Sequence, residues 1–483
     1  MKIRFRAAQC YCRINIFSSI AIIFLLFTLS CSISSIATIR QDSSLTTVSQ
    51  DEKPRLLVLT DIGGDPDDQQ SLIRLMLYAN EFDIEGIIAT ASGTPGELKE
   101  AVVKPELIRE IIQAYGQVQP NLLKHHPDYP LAQHLLGLVK IGNPQRGLSH
   151  IGEGHDTEGS DWIIEATDRE DSRPLNIVIW GGQSDLAQAL WKVKNTRRPK
   201  QYQEFVARLR IYDIMDQDGI YSWIAEQFPD LFYILNRAPE GQDKRNAVFR
   251  GMYLGGDESL TSQAWITTHI KEDHGPLGAL YPIKTWTAPN PHGVLKEGDT
   301  PSWFYFLPTG LSNPEEPGYG SWGGRFASGD THFVDAVDQV EDKKSARATV
   351  WRWRPHYQND FSARMDWCVQ SYAQANHPPK VLFNSDTTSS VVHLEASPGD
   401  KLPLSAVGSI DPDQDDLTYQ WTVYPEAGTY TGRLSIENDT FPNAYFIVPE
   451  ADESATIHVV LTATDEGSPK LSRYRRIVVT VNN

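Results

Sequence analysis

The sequence predicts an α/β domain with a mostly parallel sheet, followed by an all-β sandwich domain. Short apolar runs such as residues 55–59 alternate with helical segments such as residues 67–80, which is the pattern of βαβ units. This alternation continues to about residue 376. Beyond it, short segments of alternating polarity such as residues 417–423 replace the helical pattern. A chain of 483 residues has room for two or three domains of these kinds.

The first 37 residues have the pattern of a targeting leader. Basic residues precede an apolar run over residues 14–29, and small and polar residues follow. We therefore expect an exported protein that is periplasmic, secreted or a cell-surface lipoprotein. Lipidation at Cys31, cleavage after Ala37 and an uncleaved membrane anchor are the three alternatives. Residues 38–53 are polar and fit a linker.

Composition restricts the partners and the covalent structure. The formal net charge of -18 argues against a nucleic-acid partner, because phosphate binding needs clustered Lys and Arg. Three of the four cysteines lie in the leader or at its edge, which leaves Cys368 and no internal disulfide. The apolar neighbours of Cys368 indicate a buried packing residue.

The start of the α/β domain predicts where a ligand would bind. Residues 55–59 suit a buried parallel strand, residues 67–80 a helix with one apolar face, and residues 84–90 the next strand. A right-handed crossover places the loop between the first strand and the helix at the carboxyl edge of the sheet. Ligands bind at that edge in α/β folds.

The remaining segments continue both patterns. Further helices are predicted near residues 104–115, 160–167 and 220–228 and after residue 182, and further strands over residues 175–180 and 209–212. Residues 286–330, rich in Pro, Gly and Trp, are predicted to form long loops over the carboxyl edge. We therefore place the α/β domain at residues 54–376. In residues 377–483 about seven short strands predict an immunoglobulin-like sandwich with Trp421 in its core.

The loop after the first strand is acidic. It contains four carboxylates within eight residues, Asp61, Asp65, Asp67 and Asp68. Like charges so close repel unless a cation neutralises them, and Ca²⁺ accepts the irregular oxygen coordination that a loop provides. The alternative is that the acids cap the following helix and complement its dipole, which accounts for one or two of them. The sequence therefore predicts a divalent-cation site, with Ca²⁺ as the expected ion.

This loop resembles the aspartate signature D-x-D-P-G-x-D-D of the nucleoside hydrolases, calcium-dependent enzymes that hydrolyse N-ribosides. The chain is more closely similar to an exported branch described as nucleoside hydrolase-like, cellulose-binding proteins. The matching segments are residues 60–75, 80–86, 180–182, 216–218, 297–302, 322–325 and 352–355. The resemblance implies a nucleoside hydrolase-like, mostly parallel sheet with helices on both faces, followed by the sandwich.

The resemblance also implies a ligand set. Asp61, Asp67 and Asp68 match three signature aspartates, and Asp68 would be the principal calcium ligand. Asp299 stands where the enzymes have the aspartate of a His-Asp-Pro ligand motif. The turn containing Ser184 resembles one whose Thr carbonyl binds calcium, which nominates the Ser184 carbonyl. Three separate segments are thus expected to converge on one Ca²⁺.

Two departures from the family pattern concern catalysis. Gly63 occupies the position of the general base, and Gly298 that of the His that protonates a leaving base. A hydrolase still needs a group within hydrogen-bond reach of its water and an acid for a poor leaving group. Asp61 or Asp65 would take over the first role and Glu297 the second, because two carboxylates suffice in other glycosidases.

Other residues are candidates for ligand contact. Ser92 or Gly93 stands where the enzymes have a ribose-contacting Asn, so free nucleosides are not the expected substrate. Trp303 and Trp322 would form stacking platforms for sugar rings, the alternative being that they anchor the core. The four Asp of residues 411–416 either bind a second Ca²⁺ or form a polar turn.

These observations leave three hypotheses for the function. The first is a calcium-dependent hydrolase of glycosidic bonds that acts on a carbohydrate. The second is a non-catalytic protein that binds cellulose or another polysaccharide on the same fold. The third is a structural surface protein whose sandwich docks a partner. A carbohydrate or glycoside is the expected ligand, and membrane contact is expected only through a lipid at Cys31.

Overall fold

The computed structural model describes residues 52–91, 103–284, 294–451 and 454–482. The leader with Cys31, the linker up to residue 51, and Ser92 lie outside these residues. Within the described ranges, no helix has the length and apolar character needed to cross a membrane.

An eight-stranded sheet forms the centre of the α/β domain. Its strands are β1 (Arg55–Thr60), β2 (Asp83–Ala89), β3 (Val139–Ile141), β4 (Leu175–Ile179), β5 (Leu209–Ile214), β6 (Phe232–Asn236), β7 (Phe326–Ser328) and β8 (Phe333–Asp335). They lie in the order β3-β2-β1-β4-β5-β6-β8-β7. Every neighbouring pair is parallel except β7 and β8 at one edge. The predicted mostly parallel sheet is confirmed.

Helices cover both faces of this sheet. They are α1 (Asp67–Leu77), α2 (Pro105–His125), α3 (Ala132–Gly137), α4 (Glu158–Asp168), α5 (Ser184–Thr196), α6 (Pro199–Ala207), α7 (Tyr221–Gln227), α8 (Gln263–Ile266), α9 (Gly275–Ala279), α10 (Thr300–Phe304), α11 (Ala348–Trp351) and α12 (Arg354–Asp366). A separate hairpin joins β9 (Asp338–Val340) to β10 (Lys343–Ser345).

Strand β1 shows why the first apolar run is buried throughout. Leu56 and Val58 belong to the core under α1 and α2, whereas Leu57 and Leu59 belong to the core under α4 and α5. Successive side chains of a strand point to opposite faces, so a central parallel strand needs apolar residues at every position. This arrangement fixes the loop after Thr60 at the carboxyl edge of the sheet.

The prediction of long loops over residues 286–330 is wrong for part of this segment. Its described portion, from residue 294, contains helix α10 and strand β7. Pro301 occupies the first turn of α10, where the missing N–H has no helical partner to lose. The aromatic residues of the segment pack inward, and Phe304 contacts both Trp303 and Trp322.

The C-terminal strands form two sheets of a sandwich. They are β11 (Val392–Ala396), β12 (Lys401–Ser405), β13 (Leu417–Val423), β14 (Asn443–Ile447), β15 (Ala455–Asp465) and β16 (Ser472–Val481). One sheet has the order β11-β16-β15-β13, and the other pairs β12 with β14. The described residues thus hold six strands where about seven were predicted. Trp421 is buried between the sheets, as predicted.

The larger sandwich sheet is buried on both faces along β15 and β16. One face packs against β12 and β14, whereas Val460 and Tyr474 on the other face belong to the core of the α/β domain. The backbone N–H of Tyr474 donates to the carbonyl of Thr309 at 3.1 Å. The Arg476 Nε donates to the carbonyl of Leu311 at 2.7 Å. The sandwich therefore completes the hydrophobic core of the α/β domain.

Candidate functional site

The acidic loop lies between β1 and α1, at the carboxyl edge of the sheet. The residue before α1 is Pro66, and no side chain caps the first turn of this helix. The Thr60 hydroxyl instead donates to the Asp68 carboxylate, and the N–H of Ile62 donates to Thr60 Oγ1 at 3.1 Å. Helix capping therefore does not account for the carboxylates of this loop.

Three carboxylates from two distant segments converge here. Asp67, Asp68 and Asp299 each place an oxygen within 4.8 Å of the others. Asp68 and Asp299 are each 3% exposed, and Asp299 Oδ2 is buried with no hydrogen-bond partner among the described residues. Asp299 directly precedes α10, which brings its side chain to the same edge as the loop. The predicted convergence of the loop with Asp299 is thus present in the structure.

The electrostatics of the cluster disfavour three ionised acids. Burial, together with the charges of Asp65 and Asp61, raises the pKa of Asp67 to about 7. Burial and the neighbouring carboxylates also raise the pKa values of Asp68 and Asp299 well above the ordinary range. Lys296 opposes the shift at Asp67 and Asp299. Buried like charges of this kind are the environment that a bound divalent cation stabilises.

Asp61 belongs to the same electrostatic cluster. Its charge raises the pKa values of Asp67, Asp68 and Asp299. The side chain packs on Gly181, where a Cβ atom would lie 2.6 to 2.8 Å from three Asp61 atoms. A glycine at position 181 is therefore what lets the Asp61 carboxylate occupy this place.

Asp65 and Glu297 are held in ion pairs. Asp65 pairs with Lys296, and Glu297 Oε2 lies 2.5 Å from Arg74 Nε. Tyr281 donates to Glu297 Oε1 at 2.5 Å. Glu297 is 0% exposed, and these two partners enclose its carboxylate. The geometry therefore does not favour the predicted role of Glu297 as an acid. Asp65, predicted as a possible base, forms an ion pair with Lys296 instead.

Ser184 lies at the start of α5 and contacts Asp218. It is the first residue of α5, where a carbonyl points along the helix axis toward the residue four positions later. Its N–H and its hydroxyl both donate to Asp218 Oδ2, at 3.0 and 2.6 Å. These contacts orient Asp218, and the role of the Ser184 carbonyl as a calcium ligand stays a prediction.

Sequence reasoning assigned no role to Asp218 or Lys296. Burial raises the pKa of Asp218 to about 6, and the charge of Asp61 contributes. Asp218 follows strand β5 closely, so its position after a parallel strand was a usable signal. Lys296 precedes the segment of Asp299 and had no signal of its own in the sequence. Both belong to the electrostatic surroundings of the acidic cluster.

The two tryptophans proposed as sugar platforms lie in the core. Trp303 is 0% and Trp322 1% exposed, so neither offers a ring face to a ligand. Trp303 packs at 5.2 Å from the ring of Tyr78, and Trp322 Nε1 donates to the hydroxyl of Tyr474 at 3.0 Å. The alternative interpretation, that they anchor the core, is the one the structure supports, because these rings fill the space between sheet, helices and sandwich.

Comparisons with known proteins give a consistent picture. The family described as cellulose-binding Sde182, nucleoside hydrolase-like domain, matches residues 55–326. The family described as cellulose-binding protein Sde0182, C-terminal domain, matches residues 401–481. A search among curated proteins finds no match.

One solved structure is similar over nearly the whole chain. It is a nucleoside hydrolase-related hypothetical protein from Saccharophagus degradans that is associated with carbohydrate metabolism. The two chains are 35% identical with a TM-score of 0.74, and the match covers 89% of this chain and 100% of that one. The effector protein XOO4466 covers 66% of this chain and 95% of its own, at 10% identity and a TM-score of 0.33, which is too distant to support an argument.

Proposed function

The chain belongs to the family of nucleoside hydrolase-like, cellulose-binding proteins, and on this basis we propose that it hydrolyses a glycosidic bond of a carbohydrate with the help of a bound divalent cation. The observation that carries the proposal is the convergence of Asp67, Asp68 and Asp299 at the carboxyl edge of the sheet. Ligands bind at this edge in α/β folds, so the cluster lies where a substrate would be reached.

The donor set fits a hard cation such as Ca²⁺. The three carboxylates supply oxygen ligands, and Asp299 Oδ2 has no competing hydrogen bond among the described residues. Such a cation would supply charge stabilisation for a water and for an oxygen of the substrate. Asp61 and Asp68 are both enclosed by the loop, so their negative charges would add to its affinity.

Asp61 is the residue best placed to accept a proton from water. Of the two carboxylates predicted for this role, Asp65 pairs with Lys296, and Asp61 packs on Gly181 with its charge acting on all three acids of the cluster. A general base needs to lie within hydrogen-bond reach of the water it activates. In this proposal Asp61 orients the water, and the remaining acids hold the cation.

A binding protein without turnover is the second candidate. Position 63 carries the observation in its favour, because Gly63 has φ +97° and a Cβ there would lie 2.5 Å from Lys104 Cδ. A carboxylate at the family's base position would therefore need both an unfavourable backbone conformation and a displaced neighbour. The enclosed Glu297 leaves the acid position without an evident replacement as well. The family description as cellulose-binding agrees with this candidate.

One experiment separates the two candidates. The purified chain is assayed for release of reducing sugar from soluble and insoluble polysaccharides, with Ca²⁺ and with chelator. Hydrolysis predicts release that chelator abolishes and that Asp61→Asn lowers by about 10²- to 10⁴-fold. Asp128→Asn is the matched control, since this exposed carboxylate only pairs with Lys53.

The same samples test binding. Co-sedimentation with insoluble cellulose at unchanged affinity in Asp61→Asn, with no release from any polysaccharide, would refute hydrolysis and support the binding protein. Release that continues at full rate in chelator and in Asp68→Asn would refute the cation-dependent site. The test uses the whole chain, because the larger sandwich sheet packs on the α/β domain and would expose an apolar face alone.

We further propose that the protein is exported, with Cys31 as the candidate lipid attachment site. The support is the basic and apolar pattern of the first 37 residues. Labelling with a radioactive fatty acid in cells tests the lipid, and Cys31→Ser should remove the label. Label retained in Cys31→Ser, or absent from the parent chain, would leave ordinary cleavage as the better account.

A further inference from the structure

A second pair of buried carboxylates lies where the sandwich meets the end of the α/β domain. Asp411 lies in the loop before β13, and Asp465 is the last residue of β15. Asp465 is 0% and Asp411 9% exposed. The charge of Asp411 raises the pKa of Asp465, which burial brings to about 6. The two loops that carry these carboxylates are in direct contact, because the N–H of Glu466 donates to the carbonyl of Asp416.

Each carboxylate uses one oxygen for the local backbone. Asp411 Oδ1 accepts the N–H groups of Asp413 at 2.8 Å and Asp415 at 3.3 Å. Asp465 Oδ1 accepts the N–H groups of Gly467 at 3.1 Å and Leu471 at 2.9 Å. These contacts shape the two loops and fix the orientation of both carboxylates.

The second oxygen of each carboxylate has no hydrogen-bond partner. Both Asp411 Oδ2 and Asp465 Oδ2 are buried and unpartnered among the described residues. A buried charged oxygen without a donor is costly, and native proteins normally pair such atoms. The backbone hydrogen bonds in each loop explain why Oδ1 is buried. They do not explain why Oδ2 is buried without a partner.

Other buried acids at the same junction have arginine partners. Asp338 pairs with Arg325 and Arg352, each at 2.7 Å. Asp360 pairs in the same way with Arg364 and Arg473, at 2.9 and 2.7 Å. Within the described ranges no Lys or Arg forms an ion pair with Asp411 or Asp465. The positive charge that this part of the structure supplies elsewhere from side chains is missing here.

The three chain segments around the pair are already held together. The Asn376 amide donates to Asp465 Oδ1 at 3.1 Å, and the N–H of His377 donates to Asp413 Oδ2 at 2.7 Å. The N–H of Glu466 donates to the carbonyl of Asp416 at 3.0 Å. The end of the α/β domain and two sandwich loops thus meet at one point, as the elements of an assembled site do.

We propose that a hard divalent cation binds between the Asp411 and Asp465 carboxylates and links the end of the α/β domain to the sandwich. The site is separate from the Asp67–Asp299 cluster and does not depend on the function proposed for it. Two carboxylates, with water and carbonyl oxygens for the remaining positions, are a donor set that Ca²⁺ and Mg²⁺ both accept.

The test isolates the second site in the full chain. The double substitution Asp68→Asn and Asp299→Asn removes the first cluster and serves as the parent. Calorimetric titration with Ca²⁺ should then find one remaining ion per chain. Adding Asp411→Asn and Asp465→Asn should weaken this binding at least tenfold, whereas Asp439→Asn, at an exposed sandwich acid, should leave it unchanged.

Asparagine has nearly the same shape as aspartate and carries no charge, so it suits both Asp411 and Asp465. Its amide oxygen can keep the contacts of Oδ1, and its NH₂ group occupies the place of the unpartnered Oδ2. We therefore expect the Asn variants to fold, to melt in chelator at or above the parent's temperature, and to lose the rise in melting temperature that Ca²⁺ gives the parent. Asp411→Asn alone, at the more exposed carboxylate, provides the same comparison if the double variant fails to fold. A parent that binds no Ca²⁺ at millimolar concentration, or Asn variants that bind like the parent, would overturn the proposal.

Discussion

Removing divalent cations at different pH values should give the sharpest test of the acidic cluster. The pKa of Asp67 is raised to about 7, and those of Asp68 and Asp299 are raised well above the ordinary range, because of desolvation and the neighbouring carboxylates. Without a cation the folded chain should hold protons on these acids at a pH where the unfolded chain has already lost them. Folding then opposes ionisation, and the cluster should destabilise the protein as pH rises.

The size of the effect follows from the shift at Asp67. A carboxyl whose pKa rises from 3.8 to about 7 makes the folded state bind more protons than the unfolded state between these values. In that window the free energy of unfolding falls by about 1.4 kcal/mol per pH unit for each such group. Because the neighbouring acids share the proton and Lys296 opposes the shift, we expect a fall of about 2 to 4 kcal/mol between pH 4.5 and 7.5 for the cluster.

Bound Ca²⁺ should reverse this trend. A cation that binds only the folded chain at 100 times its dissociation constant contributes about 2.7 kcal/mol. Bound Ca²⁺ also displaces the protons from the clustered carboxylates. The stabilisation of the folded chain by Ca²⁺ should therefore grow as pH rises through 7. Calcium binding at pH 6.5 should release about one proton per ion, which calorimetry in buffers of different ionisation enthalpy measures.

The assay is urea unfolding in EDTA and in Ca²⁺ at pH values from 4.5 to 7.5. The chain carrying Asp68→Asn and Asp299→Asn is the control, and its difference from the parent isolates the cluster from the other titrating acids. Two results together would refute the reasoning. The free energy of unfolding in EDTA would change with pH equally in parent and control, and the stabilisation by Ca²⁺ would not increase with pH.

Three further predictions concern single positions. Gly181→Ala should displace Asp61 and weaken Ca²⁺ binding about tenfold by calorimetry, whereas Gly137→Ala, with nothing within 4 Å of its Cβ, should not; equal affinities would contradict the packing argument. Glu297→Gln should lower the free energy of unfolding in urea by about 3 to 5 kcal/mol, because it leaves a buried guanidinium unpaired, and a loss below about 1 kcal/mol would show that the pair is not structural. Burial raises the pKa of the Cys368 thiol, so Ellman's reagent should react with it only after unfolding, and rapid reaction in the native chain would show that the site opens.

The sequence predicted the elements that depend on local pattern. Period-two strands, apolar runs and one-sided helices identified β1, α1, β2 and the change to a sandwich, because burial on one or two faces restricts residue type at each position. Helix α2 continues to His125, beyond its predicted end, because Val118 and Leu122 extend the buried face. Trp-rich residues after 294 were expected to form loops but pack inward, since composition does not show which surface an aromatic ring will meet.

The candidate site divides in the same way. The acidic loop and Asp299 were identified from motif and resemblance, and the structure brings their carboxylates together. The predicted role of Glu297 as an acid is not favoured, because its arginine partner comes from a distant part of the chain, whereas the role of the Ser184 carbonyl stays a prediction. Asp218 received no role from the sequence, although its position shortly after β5 was a usable signal, and the fold brings it under the influence of the Asp61 charge.

The sequence by itself determined the order of elements, the two domain types and the position of the acidic loop at the carboxyl edge. These follow from hydrophobic period and chain direction, which each segment carries locally. Only the tertiary structure decided which acids are paired and which are left with unpartnered oxygens. Glu297 is paired with an arginine 223 residues away, whereas Asp465 has a buried oxygen with no partner among the described residues. The charge state and the ligand capacity of a carboxylate depend on neighbours in space, and those neighbours come from distant parts of the chain.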